Sequence, residues 1–344
     1  MASTVSTRST AGDRACRAGL ALVCALCLTA VCLAGPALAA PDGAALFATE
    51  CAGCHGEKGD GKGDADPALL PPPRDLTRGK FKLGWGSAVA PTRELVEAIL
   101  ERGIAGTAMP SYRFLTAAER QALAAYVLEL GKLDPAAKAE PPRVPEPPPQ
   151  SGAVVERGAK AYLELGCQAC HGTSGRGDGP AAAHLKDEWG SVDPPRDLVR
   201  EPYRAGERPQ DIFLRLKIGM PGTPMPGYAD TADDATLWAL TRYLQSIRKP
   251  DPAPSEPLAL GRHVLEQRHC LACHRLGGKG GTVGPALDGV TRRLDPQWLR
   301  AFLANPRRKG KLDPATKRRM PQFELTATEI AALIAYLDSL PAAQ

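Results

Sequence analysis

The sequence predicts an all-α chain of three tandem helical units joined by proline-rich linkers. Three observations predict it. A CxxCH motif recurs as CAGCHG at 51–56, CQACHG at 167–172 and CLACHR at 270–275. Each copy is followed by a Met-Pro pair and a closing segment with helical period. Two stretches, 135–152 and 249–257, are dense in proline, which favours extended polyproline II and excludes helix. They set units at 40–140, 151–249 and 258–344, with linkers at 141–150 and 250–257.

Ahead of the first unit, Arg8, Arg14 and Arg17 precede the apolar run LALVCALCLTAVCLAG, and Ala37 and Ala39 supply the small residues of an export cleavage site. Residues 1–39 therefore read as a signal peptide cut after Ala39, which places the remainder in the periplasm. A second reading keeps this run as a membrane anchor, since it approaches the roughly 20 residues that span a bilayer. Four of the ten cysteines, Cys16, Cys24, Cys27 and Cys32, belong to the leader. The other six all sit in the three motifs, which leaves none for a disulfide framework.

Each unit opens with a short helix that places a glycine and a large apolar residue four apart: Gly43 and Phe47, Gly158 and Tyr162, Gly261 and Leu265. Residues at i and i+4 share a helix face, so a close-approach site lies one turn from a bulky contact. The closing helices are LTAAERQALAAYVLEL, DTADDATLWALTRYLQSI and LTATEIAALIAYLDSL, with Tyr126, Tyr243 and Tyr336 at one shared position. Thr116 with Glu119 and Thr326 with Glu329 have capping-box spacing, and Thr231 with Asp234 is a weaker version. The chain is only 5% aromatic, with 35 glycines and 33 prolines among 344 residues. So few large side chains fill three cores poorly, which suits a bulky non-protein group inside each unit.

Paired thiols two residues apart can grip zinc, exchange a disulfide, or add across the vinyl groups of a haem. Zinc wants four ligands, and three isolated pairs leave the count short. Thioredoxin-like chemistry calls for neither an adjacent histidine nor a distant methionine. Haem attachment uses everything present: thioether bonds from Cys51 and Cys54, Cys167 and Cys170, Cys270 and Cys273, with iron ligated by His55, His171 and His274. Met109, Met225 and Met320 follow their histidines by 54, 54 and 46 residues, and each precedes a proline that holds its segment extended. With a thioether opposite each imidazole, three covalently attached haem c groups are six-coordinate and of relatively high potential. Met220 aligns with Ile104 and reads as packing; His184, His263 and His269 are the alternative ligands.

On these residues each unit resembles a class I cytochrome c domain. The third is the nearest match, through HCLACHRLGG, GPALDG at 284–289 and RRMPQF. The resemblance implies that the first and last helices cross at the glycine/aromatic contact, and that the Pro285 carbonyl accepts a hydrogen bond from His274. In the first two units Pro67 and Pro180 stand at other distances from their histidines, so the pattern assigns His55 and His171 no such partner. Those units share PPPRDL (71–76) and DPPRDL (193–198), which resemble multihaem cytochrome c subunits that accompany respiratory oxidoreductases. Arg74 and Arg196 in these motifs either bind haem propionates or form surface pairs with the aspartate that follows.

The implied partners are redox proteins, in particular a membrane-associated respiratory complex. Residues 251–344 carry 14 basic and 9 acidic side chains, concentrated between Arg292 and Phe323. Such a face on domain 3 would steer an acidic partner. Nucleic acid is excluded by export and by the lack of an aromatic platform among the cations. Three function classes stay open: an electron carrier with no enzymatic activity of its own; a haem enzyme such as a periplasmic peroxidase, in which Met225 dissociates between the loop-loosening Gly222 and Gly227; and a zinc-binding scaffold.

Overall fold

The structure is a computed structural model of the chain and describes Met1 and residues 40–85, 89–309 and 317–341. The predicted leader and its apolar run lie outside the described residues. Among the described residues no helix is long and apolar enough to cross a membrane.

Three helical domains follow one another along the chain. In domain 1, α1 (Gly43–Glu50) starts at Asp42, whose carboxylate accepts the N–H groups of Ala44 and Ala45. It is followed by α2 (Ala52–His55), α3 (Arg93–Arg102) and α4 (Ala117–Leu130). Domain 2 repeats the order with α5 (Gly152–Glu164), α6 (Gln168–His171), α7 (Pro209–Ile218) and α8 (Asp234–Ile247). Domain 3 contains α9 (Pro257–Gln267), α10 (Val290–Arg293), α11 (Pro296–Ala304), α12 (Pro306–Lys309) and α13 (Ala327–Ser339). It also holds one two-residue antiparallel pair, β1 (Arg275–Leu276) with β2 (Lys279–Gly280), and the fold is otherwise helical.

Capping boxes form at Thr116/Glu119 and Thr326/Glu329. In domain 2 the expected Thr231/Asp234 cap does not form. Asp233 is the N-cap instead, its carboxylate accepting the Thr236 N–H, because a carboxylate one residue before the first helical turn caps it directly.

The three glycines of the opening helices face the closing helices at van der Waals limits. A Cβ on Gly43 would lie 2.3 Å from the carbonyl oxygen of Ala122; on Gly158, 2.0 Å from that of Ala239; on Gly261, 2.1 Å from that of Ala332. One turn on, Phe47 packs on Tyr126 with ring centroids 5.4 Å apart, and Tyr162 on Tyr243 at 5.5 Å. Hydrophobic cores centred on Leu123 and Leu128, on Phe213 and Leu240, and on Leu265 and Leu333 surround these crossings.

Domain 1 carries contacts to both other domains. Toward domain 2, Leu83, Leu95 and Ile99 bury against Ala205 and Met220, so Met220 is indeed a packing residue. Toward domain 3, Asp66 N–H donates to Ala272 O (2.9 Å) and Thr282 N–H to Asp64 O (2.7 Å). The first linker is held on domain 2 by Arg242, which donates to Pro148 O at 2.7 Å.

Part of the basic stretch of domain 3 is turned inward. Arg307 and Arg319 converge on Glu50 (3.4 and 3.7 Å), whose side chain is 1% exposed, and Arg307 also reaches Glu119 at 3.6 Å. Arg318 pairs with Glu57 and donates to Ala48 O. The acidic surface that these three cations meet is domain 1 of the same chain, and Arg292, Arg293, Arg300, Arg308 and Lys317 remain exposed. Burial pushes the Glu50 carboxyl up, and the two guanidiniums pull it back toward the charged form. Removing both cations, in Arg307→Ala/Arg319→Ala, leaves a buried charge without partners, a loss of roughly 3–5 kcal/mol for such pairs. Domain 3 should then loosen from domain 1, read as faster amide hydrogen exchange across residues 45–50 and 319–323. Unchanged exchange there would show that the ion pairs do not hold the dock.

Candidate functional site

Each CxxCH motif folds as one helical turn. The histidine N–H donates to the carbonyl of the first cysteine at 3.0, 2.9 and 3.0 Å in domains 1, 2 and 3. Cysteines three apart in such a turn share a face, with the histidine beside them. Gly56 and Gly172 then end the turn at φ 76°, a conformation side chains resist, and turn the chain back under the histidine.

The ring nitrogens settle what each histidine can do. Nδ1 of His55 lies 2.8 Å from Arg74 O, that of His171 3.0 Å from Arg196 O, and that of His274 2.7 Å from Pro285 O. A carbonyl only accepts, so Nδ1–H is the donor and Nε2 keeps its lone pair for a metal. Burial, the largest influence on all three, pushes the imidazoles below their ordinary range and keeps them neutral.

The arginine motifs thus serve by their backbone. The extended proline run delivers the Arg74 carbonyl to His55, and Leu76 N–H anchors the strand on Gly59 O at 2.7 Å. Leu198 N–H on Gly175 O, also 2.7 Å, does the same for Arg196. Neither arginine pairs with the aspartate that follows it. Asp75 caps Thr77 and pairs with Arg78, and Asp197 accepts from Val199 and Arg200. The Arg196 guanidinium donates to Gly106 O and Pro202 O, and that of Arg74 lies over the Trp189 ring at 4.0 Å.

Beside the imidazoles of domains 1 and 2 open cavities whose empty space, open mouth included, is about 1150 and 1080 Å³. The first is lined by Cys51, Cys54, His55, Arg74, Met109 and Tyr112. The second is lined by Cys167, Cys170, His171, Arg196, Met225 and Tyr228. His55 and His171 are the histidines that line them. Both methionines are held alike: Met109 N–H donates to Thr107 Oγ1 and Met225 N–H to Thr223 Oγ1, each at 3.2 Å. Gly222 and Gly227 are close-approach positions, since a Cβ would lie 2.6 Å from Trp189 and 2.8 Å from Ile218 respectively. They pack the Met225 loop; the expectation that they loosen it does not hold. In domain 3, Met320 and Cys270 are both partly buried against the hydrophobic core.

The thiols are poor candidates for disulfide chemistry, which wants a depressed pKa. Burial pushes Cys51 and Cys167 up and Cys270 up to about 11. Cys54 and Cys273, from different domains, influence each other as free thiols, which lowers the first and raises the second. Among the described residues no group of three or more His, Cys, Asp or Glu is placed to hold a metal ion. The zinc scaffold therefore gains no support.

The cytochrome c family model matches residues 40–131, 155–248 and 258–341. The chain belongs to the cytochrome c family. Each domain accordingly binds one haem c covalently, three in all. The residues fit the group: paired cysteines beside an imidazole with its Nε2 free, a methionine on the same cavity, and buried guanidinium nitrogens of Arg74 without a hydrogen-bond partner.

The cytochrome is 32% identical over 88 residues to a subunit of the nitric oxide reductase of Halomonas halodenitrificans, covering 24% of this chain and 59% of that one. It is 32% identical over 90 residues to the same nitric oxide reductase component from Cereibacter sphaeroides, covering 25% and 61%. The chain thus spans about 60% of the length of these relatives. A chain of the Kuenenia stuttgartiensis reducing HAO-like protein complex superposes with a TM-score of 0.55 at 32% identity, over 60% of this cytochrome and 96% of that chain.

Sequence reasoning missed Lys82 and Arg204, which also line the cavities. A signal existed. Each stands eight residues after its motif arginine and directly after an aromatic, Phe81 or Tyr203.

Proposed function

We propose that this cytochrome passes single electrons between redox protein partners of a membrane-associated respiratory assembly, on the periplasmic side, and performs no chemistry on a substrate. His55 with Met109, His171 with Met225, and His274 with Met320 would hold the three irons. One observation carries the reading: each of the three imidazoles is pinned through Nδ1–H to a backbone carbonyl, which leaves its Nε2 lone pair available to a metal. Haem c supplies reversible one-electron chemistry when bound. The chain's own residues fix the rings, close the far side with thioethers that favour the ferrous state, and bury the centres under apolar walls that exclude water. The linkers and interdomain contacts keep three centres at high effective concentration. The two nitric oxide reductase relatives are parts of oxidoreductase complexes, which supports membership of such a complex; Arg292, Arg293, Arg300, Arg308 and Lys317 are exposed cations of domain 3 that can face an acidic partner.

The exported full-length chain should carry three haems, counted as pyridine haemochrome per polypeptide. Each paired Cys→Ala variant should carry two. Its spectrum should be fully low-spin, with no peroxide turnover. A colourless band on a haem-stained denaturing gel would end the reading, and a high-spin fraction with peroxide turnover would replace the carrier by an enzyme.

A further inference from the structure

Domains 1 and 2 pack with a reciprocal pattern of contacts. The Arg196 guanidinium donates to Gly106 O of domain 1, and a Cβ on Gly222, the equivalent glycine of domain 2, would lie 3.5 Å from Nη1 of Arg74. Ile104 and its counterpart Met220 flank the same small apolar cluster. Such mutual exchange of equivalent residues marks a pseudo-twofold interface.

At its centre lies a buried charge cluster. Lys82 and Arg204, equivalent residues of the two repeats, both reach Asp193, at 3.1 and 3.6 Å. Arg74 stands 3.9 Å from Asp187. All five side chains are at most 11% exposed. Three buried cations face two buried carboxylates, with Glu188 acting on Arg74 from the edge where it pairs with Lys80, and Asp187 already accepts the N–H groups of Trp189 and Ser191. Nε and Nη2 of Arg74 and Nε of Arg204 have no hydrogen-bond partner. A buried surplus of positive charge with idle donors is costly unless an anion completes it. Burial prevails over Asp193 at Lys82 and pulls its pKa down to about 8, as expected of a cation still short of negative charge.

Position names the anion. Arg74, Lys82 and Arg204 line the domain 1 cavity, and Arg204 lines the domain 2 cavity as well. Each cavity receives a haem, and haem brings two carboxylates. We infer that Arg204 is a positioning residue shared by two haem sites, which with Arg74 and Lys82 binds carboxylates of both haems in one buried interdomain site and so couples their potentials. This rests on the three-haem reading above. The coupling follows from charge: a fixed cation beside a haem favours its reduced form, and an electron on one haem disfavours the other through the common site.

The test is potentiometric titration of the full-length holoprotein carrying Arg204→Gln. Two of the three one-electron midpoints should fall, each by about tenfold in equilibrium constant, ~59 mV. The third, assigned to domain 3 with Met320→His, should stay. Arg204→Lys, which keeps the charge, should restore most of both shifts. Movement of a single midpoint, or of none, would overturn the shared site. Should Arg204→Gln not fold, Lys82→Gln gives the reading from the other side, since Lys82 lines only the domain 1 cavity. It should lower one midpoint, and no shift would overturn the proposal. A haem count below three, taken before titration, would instead fail the underlying reading.

Discussion

Gly158→Ala should unfold domain 2 at markedly lower temperature than any other single-carbon addition in α5. The new Cβ would sit 2.0 Å from the Ala239 carbonyl oxygen and 2.7 Å from the Cβ of Tyr243, against backbone that cannot swing aside. Relief requires α5 and α8 to separate by about the overlap, and separation strips the Tyr162–Tyr243 contact and the core around Leu237 and Leu240. Overpacking of this kind costs about 3 kcal/mol or more, which for a domain of this size lowers the melting midpoint by on the order of 12 °C or more. Gly152→Ala is the control. It lies at the start of the same helix with nothing within 4 Å, and should change stability by under about 1 kcal/mol. Thermal unfolding followed by circular dichroism decides, and a Gly158→Ala midpoint within about 2 °C of the parent would show that the crossing is looser than described.

That crossing was legible because spacing alone states it: a glycine and a bulky residue four apart in one helix, an aromatic in another, three times over. The haem-binding turns were legible for the same reason, since CxxCH is local and its geometry is set within one helical turn. What spacing does not state is which backbone atom meets an imidazole. Pro285 sits in a short turn after His274 and can be placed from sequence. Arg74 O and Arg196 O reach their histidines only because an anchored proline run folds back across 19 and 25 residues. The motif arginines drew attention to their side chains, whereas their carbonyls do the holding. Charge counting is incomplete in a similar way. The excess of cations near Met320 is real, but Arg307, Arg318 and Arg319 meet Glu50 and Glu57 across a domain interface, and a one-dimensional tally cannot separate an internal partner from an external one.

The same interfaces predict that Met109→His slows electron exchange between domains 2 and 3, although it alters neither. Domain 1 meets domain 2 through the Lys82, Arg204 and Asp193 cluster. It meets domain 3 beside the cysteine turns, where Asp66 N–H donates to Ala272 O, Thr282 N–H donates to Asp64 O, and Val283 fills the space a Gly53 side chain would take. Chain order is 1, 2, 3, yet these contacts put domain 1 between the other two. Exchanging thioether for imidazole removes the ligand that raises the potential, so domain 1 becomes an uphill station. Each ~1.4 kcal/mol of added barrier slows transfer about tenfold. Flash reduction followed by internal redistribution measures it, at wavelengths where the domain 2 and domain 3 centres differ. Met225→His and Met320→His, which alter an end station, should shift where electrons settle. A rate unchanged in Met109→His would assign the route directly from domain 2 to domain 3, where the Arg196 charge lies close enough to help burial depress the His269 pKa.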